Sequence, residues 1–410
     1  VPLDYSDLSS GTTAIAYIRK AATSKPVKEA ESILLNPGGP GGSGVDSILA
    51  ISDLLASYVG SEFNVIGFDP RGVNNSGPSL DCFPGNPEAS REFASRFRRP
   101  IDSKNQDSIT DLFQLAGGFG DWCSRVHSNS TARFANTPAV ARDMLNFAEK
   151  NAEANGKVAN EAKVWFWGWS YGTVLGTTFS ALFPTRVGRV VLDGVVDAED
   201  YYEGRWATGI VGTDKTVESF GKFCHDAGPG HCPFYFDSPE MILREMSNVL
   251  EDLQKAPITV VDPTVTESPH LVTYEDLAFL LFDNLYRPLS YPSIAQIFHD
   301  LQSRNGSALL QAIQLLDPTA LNVGSLILCM DAAGRYNLST VEKWQQHIDL
   351  MQGRSAWGAD AFSSVALVCR QMNIVPPVSQ QFRGYPQANH TSFPLLFIGN
   401  TADPITPIQG

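Results

Sequence analysis

The stretch Val164-Trp165-Phe166-Trp167-Gly168-Trp169-Ser170-Tyr171-Gly172 constrains the fold of this chain more than any other part of it. It begins as an apolar run of the length of a buried strand. Residues 173–183 then have helical character up to Pro184, which cannot extend a helix. A G-x-S-x-G pattern alone occurs by chance, but a strand leading in and a helix leading out give it meaning. In that context it is a nucleophile elbow, whose tight turn strains the serine backbone and lifts the hydroxyl above a sheet. Gly168 and Gly172 are small where strand and helix must approach closely.

The rest of the chain supplies the sheet. Residues 13–19 alternate Ile15 and Tyr17 with smaller side chains, as a half-buried strand does. Ile33-Leu34-Leu35 is a short apolar strand running into the glycine-rich loop Asn36–Gly44, and a helix starts near Val45. Phe63–Phe68 is the next strand, followed by Asp69-Pro70-Arg71-Gly72 and a loop-rich stretch carrying Cys82 and Cys123. Thr137, with Pro138 in the first turn, caps a helix with Val140, Met144, Phe147 and Ala148 on one face. After the Ser170 unit comes the strand Arg189–Leu192, ending in Asp193-Gly194.

Strands alternating with helices predict an α/β protein with a mostly parallel sheet flanked by helices. From about residue 197 to residue 392 the pattern turns helical, with starts at Ser238-Pro239, at Thr273 with Asp276, and at Tyr291. The sheet pattern returns only at Phe393–Gly399. The expected organisation is a core over 1–196, a helical cap over 197–392 lying above the strand ends, and the core resumed over 393–410.

A formal charge of -14 and an isoelectric point near 4.9 argue against nucleic acid or an anionic membrane as partner. No apolar run reaches the roughly 18 residues that a membrane span needs. Cys82, Cys123, Cys224, Cys232, Cys329 and Cys369 lack the C-x-x-C spacing of a zinc site and read as disulfides. Proximity favours Cys224 with Cys232, and chain order then suggests Cys82 with Cys123 and Cys329 with Cys369. Glycosylation sequons stand at Asn74, Asn129, Asn305, Asn337 and Asn389. With the cysteines, and with Val1 rather than Met at the start, they predict a processed, secreted glycoprotein.

Ligands of parallel sheets bind beyond the carboxyl ends of the strands. Three features fall there: the glycine loop, Ser170, and Asn400-Thr401-Ala402-Asp403-Pro404. Acyl transfer needs a nucleophile, a base, an orienting acid and donors for an oxyanion. Asp403 is the candidate acid, although an Asp before Pro also forms turns, and Asp193 is the runner-up. The oxyanion donors are the N–H groups of Tyr171 and of Gly39, with Gly38 the alternative. A phosphate-binding loop fits poorly, since G-x-x-x-x-G-K-[ST] is absent and prolines interrupt the glycines. No cofactor or metal is implied.

Asn36-Pro37-Gly38-Gly39-Pro40-Gly41-Gly42-Ser43-Gly44 resembles the signature of secreted tripeptidyl-aminopeptidase-like α/β-hydrolases, in the proline-iminopeptidase group of serine peptidases. Phe68-Asp69-Pro70-Arg71-Gly72, the Ser170 pentapeptide, Leu192-Asp193-Gly194 and Asp403-Pro404-Ile405-Thr406-Pro407 look like its other landmarks, in order. The resemblance covers the whole chain. It implies an α/β-hydrolase fold with a helical cap, Ser170 as nucleophile, Asp403 as triad acid, and release of tripeptide-type fragments from free N-termini. Esterase-like and biosynthetic hydrolases also belong to this group, so a small natural-product ester is the alternative substrate.

One departure stands out. In such hydrolases the order is serine, acid, histidine, and residues 404–410 contain no histidine. His390 precedes a strand of about six residues, roughly 20 Å long, whose far end carries Asp403. His127, His225 and His231 lie in disulfide-bearing loops, and His270, His299 and His347 fall in the helical region. The expectation is a base on a separate or further C-terminal segment, with a non-catalytic binding protein on the same scaffold as the alternative. For a substrate ammonium group, Glu203 and Asp331 are the candidate partners.

Overall fold

The structure is a computed structural model that describes residues 1–97, 99–315 and 321–409. Position 410, the last of the expected stretch 393–410, lies outside the described residues, as do 98 and 316–320. The N-terminal segment forms a small antiparallel hairpin of β1 (Pro2–Asp4) and β2 (Asp7–Thr12). The core then runs β3 (Tyr17–Lys20), β4 (Ser32–Asn36), α1 (Gly44–Val59), β5 (Asn64–Phe68), α2 (Pro87–Phe97), α3 (Gln106–Val126), α4 (Thr137–Ala154), β6 (Val164–Trp169), α5 (Tyr171–Leu182) and β7 (Val187–Asp193). The hairpin was not expected from the sequence, and the strand placed at 13–19 begins only at Tyr17.

Two further expectations are corrected. The stretch read as loop-rich carries α2 and α3, and Cys123 lies within α3. The cap of α4 is Asn136, whose side chain accepts from Ala139 N–H at 3.4 Å, so Thr137 is the first helical residue. That shift frees the Thr137 hydroxyl for the tertiary contacts described below.

Among the described residues the main sheet has the order β10-β7-β6-β4-β5-β3, with β10 spanning Leu395–Ile398. Neighbours are parallel except β3, which pairs antiparallel with β5. The strand β6 alternates: Val164, Phe166 and Gly168 are buried, while Trp165, Trp167 and Trp169 are half-buried. On the first face, Val140 and Met144 of α4 and Leu175 and Phe179 of α5 pack against Phe166, Val190 and Leu192. On the second, Ile48 and Leu55 of α1 meet Leu35 and Val65, with Trp167 and Trp169 at the margin.

The helical region holds α6 (Ala198–Glu203), α7 (Thr213–Ala227), α8 (Pro239–Lys255), the hairpin β8 (Ile258–Val260) and β9 (His270–Val272), α9 (Tyr274–Leu285), α10 (Tyr291–Gln302), α11 (Ser307–Gln314), α12 (Leu321–Ala332), α13 (Val341–Gln352), α14 (Ala359–Phe362) and α15 (Ser364–Leu367). Ser238 caps α8, and Thr273 with Asp276 makes a reciprocal capping box at α9. Two cores divide this region. An outer one gathers Val217, Phe220, Ile242, Leu277 and Phe298. An inner one joins Leu326, Trp344 and Leu367 to Phe113 and Phe119 of α3, and to Tyr171 and Val174 of α5. The helical layer above the sheet therefore draws on α3 as well as on residues after 197.

Covalent and ionic ties fasten these parts. Disulfides join Cys82 to Cys123, Cys224 to Cys232, and Cys329 to Cys369. Arg71 and Asp143, both buried, form a bidentate pair at 2.6 and 2.8 Å. The Arg71 guanidinium also donates to the carbonyls of Pro2, Leu3 and Phe134, which anchors β1 to the core.

Candidate active site

Ser170 closes β6 and opens α5 with φ 52° and ψ −124°, a backbone conformation that costs a non-glycine residue on the order of 1–3 kcal/mol. Close packing enforces it. A Cβ added to Gly168 would run into the Gly172 carbonyl oxygen, and one added to Gly172 would lie 2.7 Å from the Asn36 carbonyl oxygen. The Ser170 N–H donates to the Asp193 carbonyl at 3.0 Å, so β7 holds the turn from the other side. The Ser170 hydroxyl is half-buried and has no hydrogen-bond partner among the described residues.

The glycine loop leaves β4 and turns back over this serine. Gly38 sits at φ 92°, where a Cβ would lie 2.9 Å from Ser170 Cβ and 3.2 Å from Tyr171 N. Asn36 Oδ1 accepts from Gly38 N–H at 3.0 Å, and Gly42 N–H donates to the Gly38 carbonyl at 3.0 Å, which fixes the loop. The Gly39 N–H has no acceptor among the described residues. Tyr171 is the first residue of α5, so its N–H is one of the donors a helix leaves unpaired at its start. The Tyr171 N–H and the glycine loop that carries Gly39 thus lie on either side of the strained Ser170 turn.

Asp403 arrives on the loop after β10. Its Oδ1 accepts from Ile405 N–H at 3.1 Å and Thr406 N–H at 2.8 Å, and its Oδ2 from Thr406 Oγ1 at 3.0 Å. A carboxylate can accept about four hydrogen bonds, so Oδ2 keeps capacity for another donor. Gly194 links this loop to the elbow: a Cβ there would lie 3.0 Å from Thr406 Oγ1 and 3.9 Å from Ser170 N. Thr213 Oγ1 donates to the Pro404 carbonyl at 2.8 Å, which seats α7 on the same loop. Asp193 contributes its main chain to the elbow, while its carboxylate lines a cleft with Leu55, Trp167 and Trp169 under the sheet. Burial raises its pKa, and the charge of Asp403 adds to that.

The other candidates separate. Asp331 is buried in α12, with Oδ1 accepting from Thr137 N–H at 3.0 Å and Oδ2 accepting from Thr137 Oγ1 at 2.5 Å and Tyr201 OH at 2.8 Å. Burial pushes its pKa up to about 6 against these hydrogen bonds. A carboxylate so engaged is not open to a substrate ammonium, which corrects the expectation for Asp331. Glu203, at the end of α6, is half-buried and has no hydrogen-bond or ionic partner among the described residues.

The histidines are engaged elsewhere. His127 Nδ1 meets Ser130 Oγ, His225 Nδ1 meets the Phe236 carbonyl, and His347 Nδ1 meets Tyr336 OH. His231, His270 and His390 line separate surface clefts, and His299 is exposed on α10. None of these contacts includes Ser170 or Asp403. The sequon residues Asn74, Asn129, Asn305, Asn337 and Asn389 are all exposed. Among the described residues no group of three His, Cys, Asp or Glu is placed to hold a metal ion, and no helix is long and apolar enough to cross a membrane.

Sequence reasoning missed the polar network that ends on Tyr171. Tyr171 OH lies 2.5 Å from Thr137 Oγ1, and since that hydroxyl donates to Asp331, Tyr171 donates to it. The signal available was Thr137 itself, read as a cap.

Residues 31–211 match a family model described as the alpha/beta hydrolase fold. The chain is 27% identical over 346 residues to a protein named serine protease Hip1 of Mycobacterium tuberculosis, covering 83% of this chain and 60% of that protein. It is 29% identical over 222 residues to a tripeptidyl aminopeptidase of Streptomyces lividans, covering 50% of this chain and 38% of the relative. A protein named carboxylesterase B of Mycobacterium tuberculosis is 27% identical over 423 residues, covering 100% of this chain and 75% of the relative. The chain therefore spans about 60% of the length of the serine protease relatives it matches.

Proposed function

From the α/β-hydrolase fold of this chain we propose that it is the nucleophile-bearing part of a secreted serine peptidase that releases short, tripeptide-type fragments from free N-termini. The observation that carries the reading is the strained Ser170, whose hydroxyl has no partner among the described residues, with Tyr171 N–H at the helix start and the glycine loop packed against Ser170 through Gly38. Ser170 Oγ attacks the scissile carbonyl carbon and its proton passes to a general base. The charge that collects on the carbonyl oxygen is held by the two N–H groups. Collapse breaks the C–N bond, the base returns the proton to the leaving amine, and water then hydrolyses the acyl-enzyme. Asp403 Oδ2 orients the base.

The base comes from polypeptide outside residues 1–410. Supporting this, β10 pairs only with β7 among the described residues, and Leu396 and Phe397 are more than half exposed, one on each face. Open clefts of about 600 and 520 Å³ border β7 and β10 on the two sides of the sheet. Unpaired apolar edges of this kind are ordinarily covered. As partner of the substrate ammonium we propose Glu203, half-buried at the end of α6 and without a hydrogen-bond or ionic partner among the described residues. The disulfides and exposed sequons support secretion as a glycoprotein.

The test is incubation of the natural protein with a fluorophosphonate, followed by intact mass under denaturing conditions. One adduct, lost in Ser170→Ala, together with polypeptide mass beyond residue 410, is the expected result. No adduct would sink the mechanism and leave a binding role. Arylamides of tripeptides separate the substrates: cleavage only with a free amine is expected. Turnover of phenyl esters without arylamides would favour the esterase reading, to which the name of the carboxylesterase relative lends weight.

A further inference from the structure

One helix reaches both sides of the candidate oxyanion hole, the glycine loop directly and Tyr171 through Thr137. At the start of α12, a Cβ built on Gly41 would lie 3.2 Å from Gly324 N and 3.6 Å from Val323 Cγ1. A Cβ built on Gly324 would collide with the Pro40 carbonyl oxygen, so this helix lies directly on the loop that carries Gly39. At the other end of α12, Asp331 holds the Thr137 hydroxyl, which in turn accepts from Tyr171 OH. From these two contacts we propose that α12 braces the oxyanion hole, with Asp331 and Gly324 as positioning residues for Tyr171 and for the Gly39 loop. The proposal rests on the serine-hydrolase reading of the same site.

The physical basis is that an oxyanion donor acts only when held within about 0.5 Å of its productive position. Tyr171 is fixed at two ends: its main chain by the turn, and its ring by a buried hydroxyl that must be paired. The chain of donors runs one way, from Tyr171 to Thr137 to the carboxylate, with Tyr201 OH donating to the same Oδ2. Buried polar networks of this kind select a single arrangement, because leaving any member unpaired is costly. The Cys329–Cys369 disulfide ties α12 to the segment after α15, next to the carboxylate that ends the chain of donors. Asp331 is engaged by Thr137 and Tyr201 and makes no contact with Ser170, so it acts through Tyr171.

The experiment uses the full-length enzyme and saturation kinetics of fluorophosphonate labelling, in which Ser170 Oγ displaces fluoride and the phosphonyl oxygen occupies the oxyanion hole. Asp331→Asn and Gly324→Ala should each lower the limiting labelling rate about tenfold, a fraction of what losing a donor outright costs. The half-saturating concentration should stay within about twofold. Thr178→Val is the control: it removes the buried Thr178–Tyr202 hydrogen bond of 2.8 Å but leaves the Tyr171–Thr137–Asp331 hydrogen bonds in place, and should label at the wild-type rate. Wild-type labelling by folded Asp331→Asn would overturn the brace alone. Equal losses in all three variants, with broadened unfolding, would assign the network a purely structural role and also overturn it. Failure of the wild-type enzyme to label would remove the serine-hydrolase reading and the brace together.

Discussion

At the scale of single residues, Asp331 sits in an environment unlike the one its type suggests. Burial raises its pKa from 3.8 to about 6, while Thr137 and Tyr201, through hydrogen bonds, and the charge of Arg335 pull the other way. Tyr171 and Tyr202 are the remaining titratable groups within its reach, and burial and its charge push both well up. A carboxyl group with a raised folded pKa binds its proton more tightly in the folded state. Its contribution to stability is therefore complete below pH 3.8 and is lost as pH rises through about 6. The rise corresponds to about 3 kcal/mol. Chemical denaturation at pH 4 and pH 7 should show wild type losing about 2 kcal/mol more stability over the interval than Asp331→Asn. Parallel behaviour of the two proteins would mean that Asp331 is not the titrating group.

Among the secondary-structure elements, the most consequential tie is the one that holds β1 against α4. Arg71 follows β5, Asp143 lies on α4, and the pair is fully buried with Tyr5 OH donating to Asp143 Oδ1 at 2.8 Å. Such a pair adds little over a well-packed apolar one, but removing one partner strands a charge. Asp143→Ala should cost about 3–5 kcal/mol, read from urea denaturation. Since the same guanidinium holds the Pro2 and Leu3 carbonyls, amide exchange in β1 should speed up first. A loss below about 1 kcal/mol would show that water or rearrangement re-pairs Arg71.

For the whole molecule, covalent ties set how much freedom the unfolded chain retains. Cys82–Cys123 and Cys329–Cys369 close separations of 41 and 40 residues, whereas Cys224–Cys232 closes 8. Loop-closure entropy then gives about 4 kcal/mol for each long loop and about 2.5 for the short one. Replacing each pair by serines and measuring denaturation midpoints should reproduce that order. The short-loop variant losing the most would place the effect in native packing. Cys329–Cys369 has a second consequence, since its loss also loosens α12 and should slow fluorophosphonate labelling, which loss of Cys224–Cys232 should not.

Much of the site was legible in local patterns. The elbow at Ser170, the glycine loop and the strand ends follow from short-range rules, because a tight turn between strand and helix demands small residues at fixed spacing. Helix starts at Ser238 and Thr273 were legible for the same reason, as side-chain caps act within three residues. What lay beyond the sequence depends on contacts between distant segments. Thr137 has the composition of a cap, yet its hydroxyl serves Tyr171 and Asp331, residues 34 and 194 positions away. Asp331 has the composition of a ligand for a cation, yet burial and three donors make it part of the frame. The helices α2 and α3 carry enough polar and glycine residues to pass for loops, and the core they share with α13 and α15 is what makes them helical. The amino-acid sequence by itself determined which hydroxyl is strained and which glycines surround it, since those are properties of neighbouring residues. Only the tertiary structure decided which carboxylates remain open to chemistry, because that is settled by which donors the fold brings within hydrogen-bond reach.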